Sequence, residues 1–207
     1  MPQVKSKAER ERKPMRVLVA CEFSNTVRDA FLRRGHDAYS CDLQRADHPN
    51  PNWKRHIRGD VRPLLKQEWD LVIAHPPCTY LSNSGVWCLT DNPDRYNLMI
   101  DAVCFFLDCL MACAPRVVVE NPIQHSHAAQ LLPPYSQIIQ PYQFGCPYTK
   151  QTCLWLRNLS HLQPTDIVKP TGIHAHEVAD GKDRKNKRSK TFQGVADAMA
   201  EQWGSLK

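Results

Sequence analysis

Residues 69–78 read Trp-Asp-Leu-Val-Ile-Ala-His-Pro-Pro-Cys, and Thr79-Tyr80-Leu81-Ser82 follow. The apolar run ending at Ala74 suits a strand buried on both faces, as in a parallel sheet. Proline removes an amide donor and fixes the backbone, so Pro76-Pro77 closes the strand and fixes where Cys78 points. A strand expected over Trp69–Ala74 therefore ends by presenting a thiol.

The same pattern recurs on both sides of this strand. Arg16-Val17-Leu18-Val19-Ala20 reads as a buried first strand, and Thr26 to Gly35 as a helix with Val27, Ala30 and Phe31 on one face. Asp37–Asp42 and His56–Val61 read as a second and a third strand, each running into an acid. Tyr96 to Cys113 is the longest expected helix, and Arg116–Glu120 a fifth strand ending in another acid. Ile138–Gln143, Thr152–Leu156 and a final helix over Phe192–Trp203 complete the pass. Strands alternating with helices predict an α/β chain with a doubly wound, mostly parallel sheet, whose ligands lie beyond the carboxyl ends of the strands. Cys21-Glu22-Phe23-Ser24, Asp42, Asp60, His75-Pro76-Pro77-Cys78 and Glu120-Asn121-Pro122 all fall on that rim.

At 207 residues the chain is expected to form one such domain over 15–207, preceded by a basic tail over 1–14. The net charge of +6 is concentrated: residues 1–14 contribute +3 and residues 181–190 contribute +5, which leaves the rest near −2. Clustered basic charge is the footprint of phosphate contact, so Lys182, Arg184, Lys185, Lys187, Arg188 and Lys190 are candidate nucleic-acid ligands. Nine cysteines with no CxxC pair imply reduced thiols in a cytoplasm-like compartment, and all but Cys78 are expected to be buried structural residues. No signal peptide is evident. The longest apolar run, Ala102–Ala114, is interrupted by Asp108 and is too short to span a bilayer, so no membrane partner is expected.

The rim residues carry chemistry. Asp42 lies about 20 residues beyond the first strand, where an acid bonds ribose hydroxyls in nucleotide-binding sheets. Asp60, beside Val61, is placed to accept from an adenine amino group. The first turn, Cys21-Glu22-Phe23-Ser24-Asn25, lacks GxGxxG and so lacks a pyrophosphate cradle; it suits S-adenosylmethionine better than NAD. The bland alternative for these acids is helix capping and turn formation. Cys78 and Glu120 are expected to face one cleft, where a thiolate attacks a ring while a carboxyl protonates its nitrogen.

Pro76-Pro77-Cys78 followed by Glu120-Asn121-Pro122 resembles the nucleophile and glutamate motifs of the cytosine-C5 DNA methyltransferases, which read Pro-Cys and Glu-Asn-Val. Val17–Arg28 is similar to the family's cofactor-binding first motif, although Cys-Glu-Phe-Ser replaces Phe-x-Gly-x-Gly. Asp42 and Gly59-Asp60-Val61 match its second- and third-strand acids, and Gln143–Thr152 resembles its Tyr-Gly-x-Pro-Gln-x-Arg-x-Arg block. The resemblance is closest to short, phage-type members, which implies a host cytoplasm.

It implies a Rossmann-like fold that binds S-adenosylmethionine, with Cys21, Glu22, Phe23, Ser24, Asp42, Asp60, Val61 and Pro76 at the cofactor. It also implies Cys78 attack on C6 of a flipped cytosine in DNA, Glu120 at N3, Asn121 orienting the loop and Lys150 supplying charge. Tyr148, Lys150 and Thr152 replace the family's Gln, Arg and Arg, and Thr152 cannot supply charge. The short stretch 158–190 stands where the family has a long target-recognition region, so recognition is expected to be minimal, absent or supplied by a protein partner.

Four alternatives stand beside this. His75-Pro76-Pro77-Cys78 also resembles the motif of amino-directed methyltransferases, with His75 as acceptor but no stacking aromatic. A catalytically altered, nucleic-acid-binding relative is the second. The same chemistry on RNA is the third, since the basic segments do not separate RNA from DNA. Structural zinc at His125-x-His127 and His174-x-His176 is the weakest. Trp69, Trp155 and Trp203 read as core, as does Cys109-x3-Cys113. Trp53 and Trp87 are weaker candidates for lining the cleft.

Overall fold

The computed structural model describes residues 13–47, 51–83, 86, 93–172 and 189–205. Seven strands form one sheet: β1 (Arg16–Ala20), β2 (Asp37–Asp42), β3 (His56–Arg58), β4 (Leu71–Ala74), β5 (Arg116–Pro122), β6 (Gln137–Ile139) and β7 (Thr152–Arg157). Their order is β3-β2-β1-β4-β5-β7-β6. The first five are parallel, and β7 runs against both β5 and β6. This is the expected doubly wound, mostly parallel, Rossmann-like sheet.

Residue parity along the strands builds two cores. Val17, Val19, Leu71, Ile73, Val118 and Leu154 face α1 (Thr26–Arg33) and the last helix, α5 (Gln193–Gln202), with Phe31, Met199 and Trp203 fully buried between them. Leu18, Ala20, Val72, Ala74, Val117 and Val119 face α3 (Pro93–Leu110) and the four-residue helix α2 (Arg62–Leu65). There Phe106 meets Trp155 edge-on, with ring centroids 4.8 Å apart. A second short helix, α4 (Ser126–Ala129), follows β5. None of the described helices is long and apolar enough to cross a membrane.

Several local expectations are corrected. The third strand stops at Arg58, because Asp60 turns the chain instead: its Oδ1 accepts from the Arg62 amide at 3.0 Å. The long helix starts at Pro93, whose missing amide costs nothing at a helix start. It ends at Leu110, and the Cys113 amide then donates to Leu65 O at 2.7 Å, a tertiary contact invisible in local pattern. Cys113 is accordingly exposed and outside the helix; Cys104, within α3, is also exposed. Of the cysteines expected in the core, Cys41, Cys109 and Cys153 are fully buried, Cys21 and Cys146 are half-buried, and Cys88 lies outside the described residues. Ile138–Gln143 divides into β6 and a 3-10 turn at Pro141–Gln143.

Residues 158–172 add no helix or strand. They run back beside 142–147, with Gly145 N donating to Asp166 O at 2.7 Å and Thr171 N to Pro147 O at 2.9 Å. Residues 1–12, 87–92 and 173–188 lie outside the described residues, and with them most of both basic segments, His174, His176 and Trp87.

Candidate active site at the carboxyl rim of the sheet

Register places the two central side chains. Ala74 pairs with Val119 in the parallel β4–β5 ladder, so the next residues, His75 and Glu120, are neighbours on the α1/α5 face. His75 Nδ1 lies 2.9 Å from Glu120 Oε2, with the two side chains 9% and 16% exposed. Glu120 Oε1 has no hydrogen-bond partner among the described residues. Burial acts to raise the Glu120 pKa, but the His75 hydrogen bond and the positive charge of Lys150 outweigh it and hold the carboxyl below its usual value. Lys150 stands two residues before β7, its amide on Gln140 Oε1 and its Nζ 6.0 Å from the Phe192 ring centre.

The loop bearing Cys78 is stitched to the end of β5. Asn121 Nδ2 donates to Pro76 O at 2.8 Å, His125 N donates to Leu81 O at 3.0 Å, and Ser82 bridges to Gln124. The His125 ring completes the seam: Nδ1 accepts from Ala128 N at 3.2 Å and Nε2–H donates to Tyr80 O at 3.0 Å. Both of its nitrogens are thereby committed, and no metal-binding cluster occurs among the described residues. The Cys78 carbonyl closes the turn by accepting from Leu81 N and Ser82 N, and its side chain is half-buried.

Among the described residues, two buried side-chain polar atoms have no hydrogen-bond partner, His75 Nε2 and Asn121 Oδ1. Buried polar atoms are rarely left unpaired, so both orphans falling at this rim make it the candidate ligand site.

The first turn is bound up with its own helix. Helix α1 begins at Asn25, in the left-handed region at φ 67°, with no side-chain cap of its own. Glu22 reaches over instead, Oε1 accepting from Val27 N at 2.7 Å and Ser24 Oγ–H at 3.2 Å, and Oε2 from Arg28 N at 3.2 Å. A buried carboxylate at the positive end of a helix satisfies donors that would otherwise be orphaned. Burial nevertheless dominates and raises the Glu22 pKa, against the opposing influence of nearby His75 and of these amides.

Cys21 is also left-handed, at φ 59°, an unusual conformation for a residue with a Cβ. Its thiol turns to Cys109, and this contact and burial push its pKa well up. Phe23 is buried, with Lys190 Nζ 5.9 Å from its ring centre and ion-paired to Asp47. The fully buried Arg28 pairs with Asp29 at 2.8 Å and donates to Ser40 Oγ at 3.2 Å.

Asp42 and Asp60 serve local turns, as the bland reading of the acids has it. Asp42 Oδ1 accepts from Gln44 N at 2.8 Å, leaving Oδ2 without a partner among the described residues. Asp60 takes both the amide and the guanidinium of Arg62. Val61 is buried and its carbonyl starts α2; Pro76 is buried under Asn121. Thr152 is a buried strand residue opposite Pro122. Trp69, Trp155 and Trp203 are buried as expected, whereas Trp53 is 62% exposed beside the edge strand β3. Of the basic candidates Lys190 alone is described; Lys182, Arg184, Lys185, Lys187 and Arg188 lie outside the described residues.

An open groove of about 770 Å³ lies at the opposite edge of the sheet, lined by Arg16, Glu68, Asp70, Cys113 and Arg157. Its polar groups bond one another: Arg16 holds Glu68 O and Asp70, and Arg157 holds the Ala112 and Ala114 carbonyls. Among the described residues, the two orphaned atoms are at the carboxyl rim.

The sequence pattern missed the pairing of His75 with Glu120. The signal was present: each residue directly follows the apolar run of its strand, and adjacent parallel strands bring such positions side by side.

No family model matches the sequence, and no curated protein matches it. Among solved structures, a protein described as a DNA modification methyltransferase encoded within an E. coli prophage is similar at a TM-score of 0.46 and 15% identity, over 74% of this chain and 51% of that one. The Entamoeba histolytica methyltransferase EhMeth gives 0.43 and 14%, over 83% of this chain and 61% of that one. The chain thus spans half to three fifths of the length of these structures. Likeness at this level adds nothing to the topology already described.

Proposed function

We propose that the chain transfers a methyl group to C5 of cytosine in DNA. The observation that carries this reading is the seam joining the Cys78 loop to the end of β5, with Glu120 and both orphaned polar atoms on the same rim. Cys78 attacks C6 as the thiolate, the nucleophilic form of a cysteine. The electron pair displaced from the C5–C6 bond is drawn toward N3, where Glu120 places a proton, and C5 becomes nucleophilic. Loss of the C5 proton then restores the ring, expels the thiolate and returns the N3 proton to the carboxylate. Asn121 keeps the two loops in register through Pro76. Lys150 supplies positive charge beside Glu120 without the two-pronged geometry of an arginine.

S-adenosylmethionine, when bound, supplies the electrophilic methyl. The rim fits it in part: the unpartnered Oδ2 of Asp42 suits a ribose hydroxyl, and Asp60 is accessible at the next strand end. The Glu22 oxygens and the Cys21 thiol face the protein itself, so their contribution is to shape the turn. Lys182 to Lys190 supply affinity for phosphate, and base readout is short or comes from a partner.

A second reading is favoured by one observation: the unpartnered His75 Nε2 is placed to accept from an exocyclic amine, as amino-directed methylation requires. Incubation with DNA and a cofactor labelled in its methyl group, followed by digestion to nucleosides, separates the two. Label in 5-methylcytosine supports the C5 reading. Label on an exocyclic amine sinks it, and transfer to RNA alone moves the substrate.

A further inference from the structure

The C5 reading asks Glu120 to donate a proton, yet the structure engages the carboxyl as an acceptor. Glu120 Oε2 is 2.9 Å from His75 Nδ1, and Oε1 is left open. Which hydrogen lies between them follows from the other ring nitrogen. His75 Nε2 is buried with no hydrogen-bond partner among the described residues, so a proton there would be left unbonded, and the ring proton belongs on Nδ1, which has a partner. The imidazole then donates to an ionised carboxylate.

We propose that His75 is a positioning residue that fixes the charge of Glu120, holding it as a carboxylate through Nδ1–H, so that capture of cytosine requires uptake of one proton onto the open oxygen, Oε1. This rests on the C5 reading for its kinetic consequence. The charges around the pair come from every neighbouring strand end and are consistent with it. Glu22 interacts with His75 from the first turn and Lys150 with Glu120 from just before β7, while the buried Cys153 thiol, which pairs with Asn121 on the other face of the sheet, feels the Glu120 charge. Cys153 is itself pushed up to about 11 by burial and by the charge of Glu120.

The proton balance closes within a turnover. One proton is taken from solvent onto Oε1, passes to N3 as the thiolate adds to C6, returns to Oε1 as the thiolate leaves, and is released to solvent with the product. The C5 proton lost after methyl transfer goes to solvent. Cytosine N3 presents a lone pair, which an ionised Oε1 repels, so the reaction fades as rising pH strips that proton. Removing the Nδ1–H donor leaves burial to act on Glu120, and the alkaline limit of activity moves upward.

The test uses the full chain with ¹⁵N-labelled histidine and ¹³C-labelled glutamate. In the wild type, ¹⁵N spectra should place the ring proton of His75 on Nδ1, and the Glu120 carboxyl should titrate below ordinary glutamates. His75→Leu should raise that midpoint by about one pH unit or more, while His75→Asn, whose amide keeps a donor at the Nδ1 position, should leave it in place. A proton on Nε2 in the wild type, or an unmoved midpoint in His75→Leu, overturns the proposal. Should His75→Leu not fold, the wild-type spectrum and His75→Asn decide, and a midpoint raised by a unit in the latter also overturns it. In methyl transfer to DNA, the alkaline limb of kcat/KM should shift upward in His75→Leu alone; an unmoved limb contradicts the proposal. A wild type with no transfer at any pH removes the C5 reading, while the spectra still decide the role of His75.

Discussion

Glu22 and Glu120 stand on one rim, and their surroundings drive them in opposite directions. Glu22 is raised by burial despite the helix amides it caps; Glu120 resists the same burial because His75 and Lys150 outweigh it. For Glu120, folding favours the ionised form. Its contribution to stability is present above the usual value of 4.5 and is lost as the pH falls through the lower folded value. For Glu22, folding favours the protonated form, so stability declines as the pH rises from 4.5 through the higher folded value. Urea midpoints measured across acid pH should therefore show a reduced loss below 4.5 in Glu120→Gln and a reduced decline above it in Glu22→Gln. Glu22→Ala should cost about 1–3 kcal/mol for each helix amide it orphans, since buried unpaired donors carry that penalty. A stability change near zero would mean that the cap is dispensable.

At the scale of the elements, β1 and β2 match the sequence expectation residue for residue; β1 leaves the continuous apolar trace of a buried parallel strand, and β2 is bounded by an acid at each end. Boundaries set by distant contacts were not legible. Helix α3 is stopped by a bond from Cys113 to Leu65, and β3 is cut short by the Asp60 turn. His75 remained unexplained in sequence terms because its partner is 45 positions away and becomes adjacent only through the β4–β5 register. Helix α5 shows how close such packing is. A Cβ added at Gly194 would lie 1.8 Å from the Phe144 carbonyl oxygen, which belongs to backbone and cannot swing aside. Gly194→Ala should therefore displace α5 from the Phe144-Gly145 turn at a cost of about 1–3 kcal/mol or more, read as a lowered Tm. Phe106→Ala, on the opposite face, should cost about 3–5 kcal/mol through the cavity left beside Trp155. A change under 1 kcal/mol in either, measured against the overpacking and cavity ranges, would contradict the packing described.

At the scale of the whole molecule, the sheet gathers the candidate catalytic groups at its carboxyl rim, and most of the basic residues expected to meet phosphate, 182–188, lie outside the described residues. Residues 158–172 fold back along the 142–147 turn. Neutralising Lys182, Arg184, Lys185, Lys187 and Arg188 should flatten the salt dependence of DNA binding by about 0.9 in log–log slope for each phosphate contact removed. An unchanged slope would take the segment out of the interface. Lys190 is tied to Asp47 and lies over Phe23, so its substitution should disturb the first turn more than the slope. The most direct test of the whole account uses DNA carrying 5-fluorocytosine, whose C5 fluorine cannot leave as a proton and so blocks elimination. With S-adenosylmethionine present, the wild type should form a denaturation-resistant protein–DNA adduct that is absent in Cys78→Ser; an adduct that survives Cys78→Ser, or methyl transfer to ordinary DNA with no adduct on the fluorinated strand, would contradict attack by Cys78 on C6.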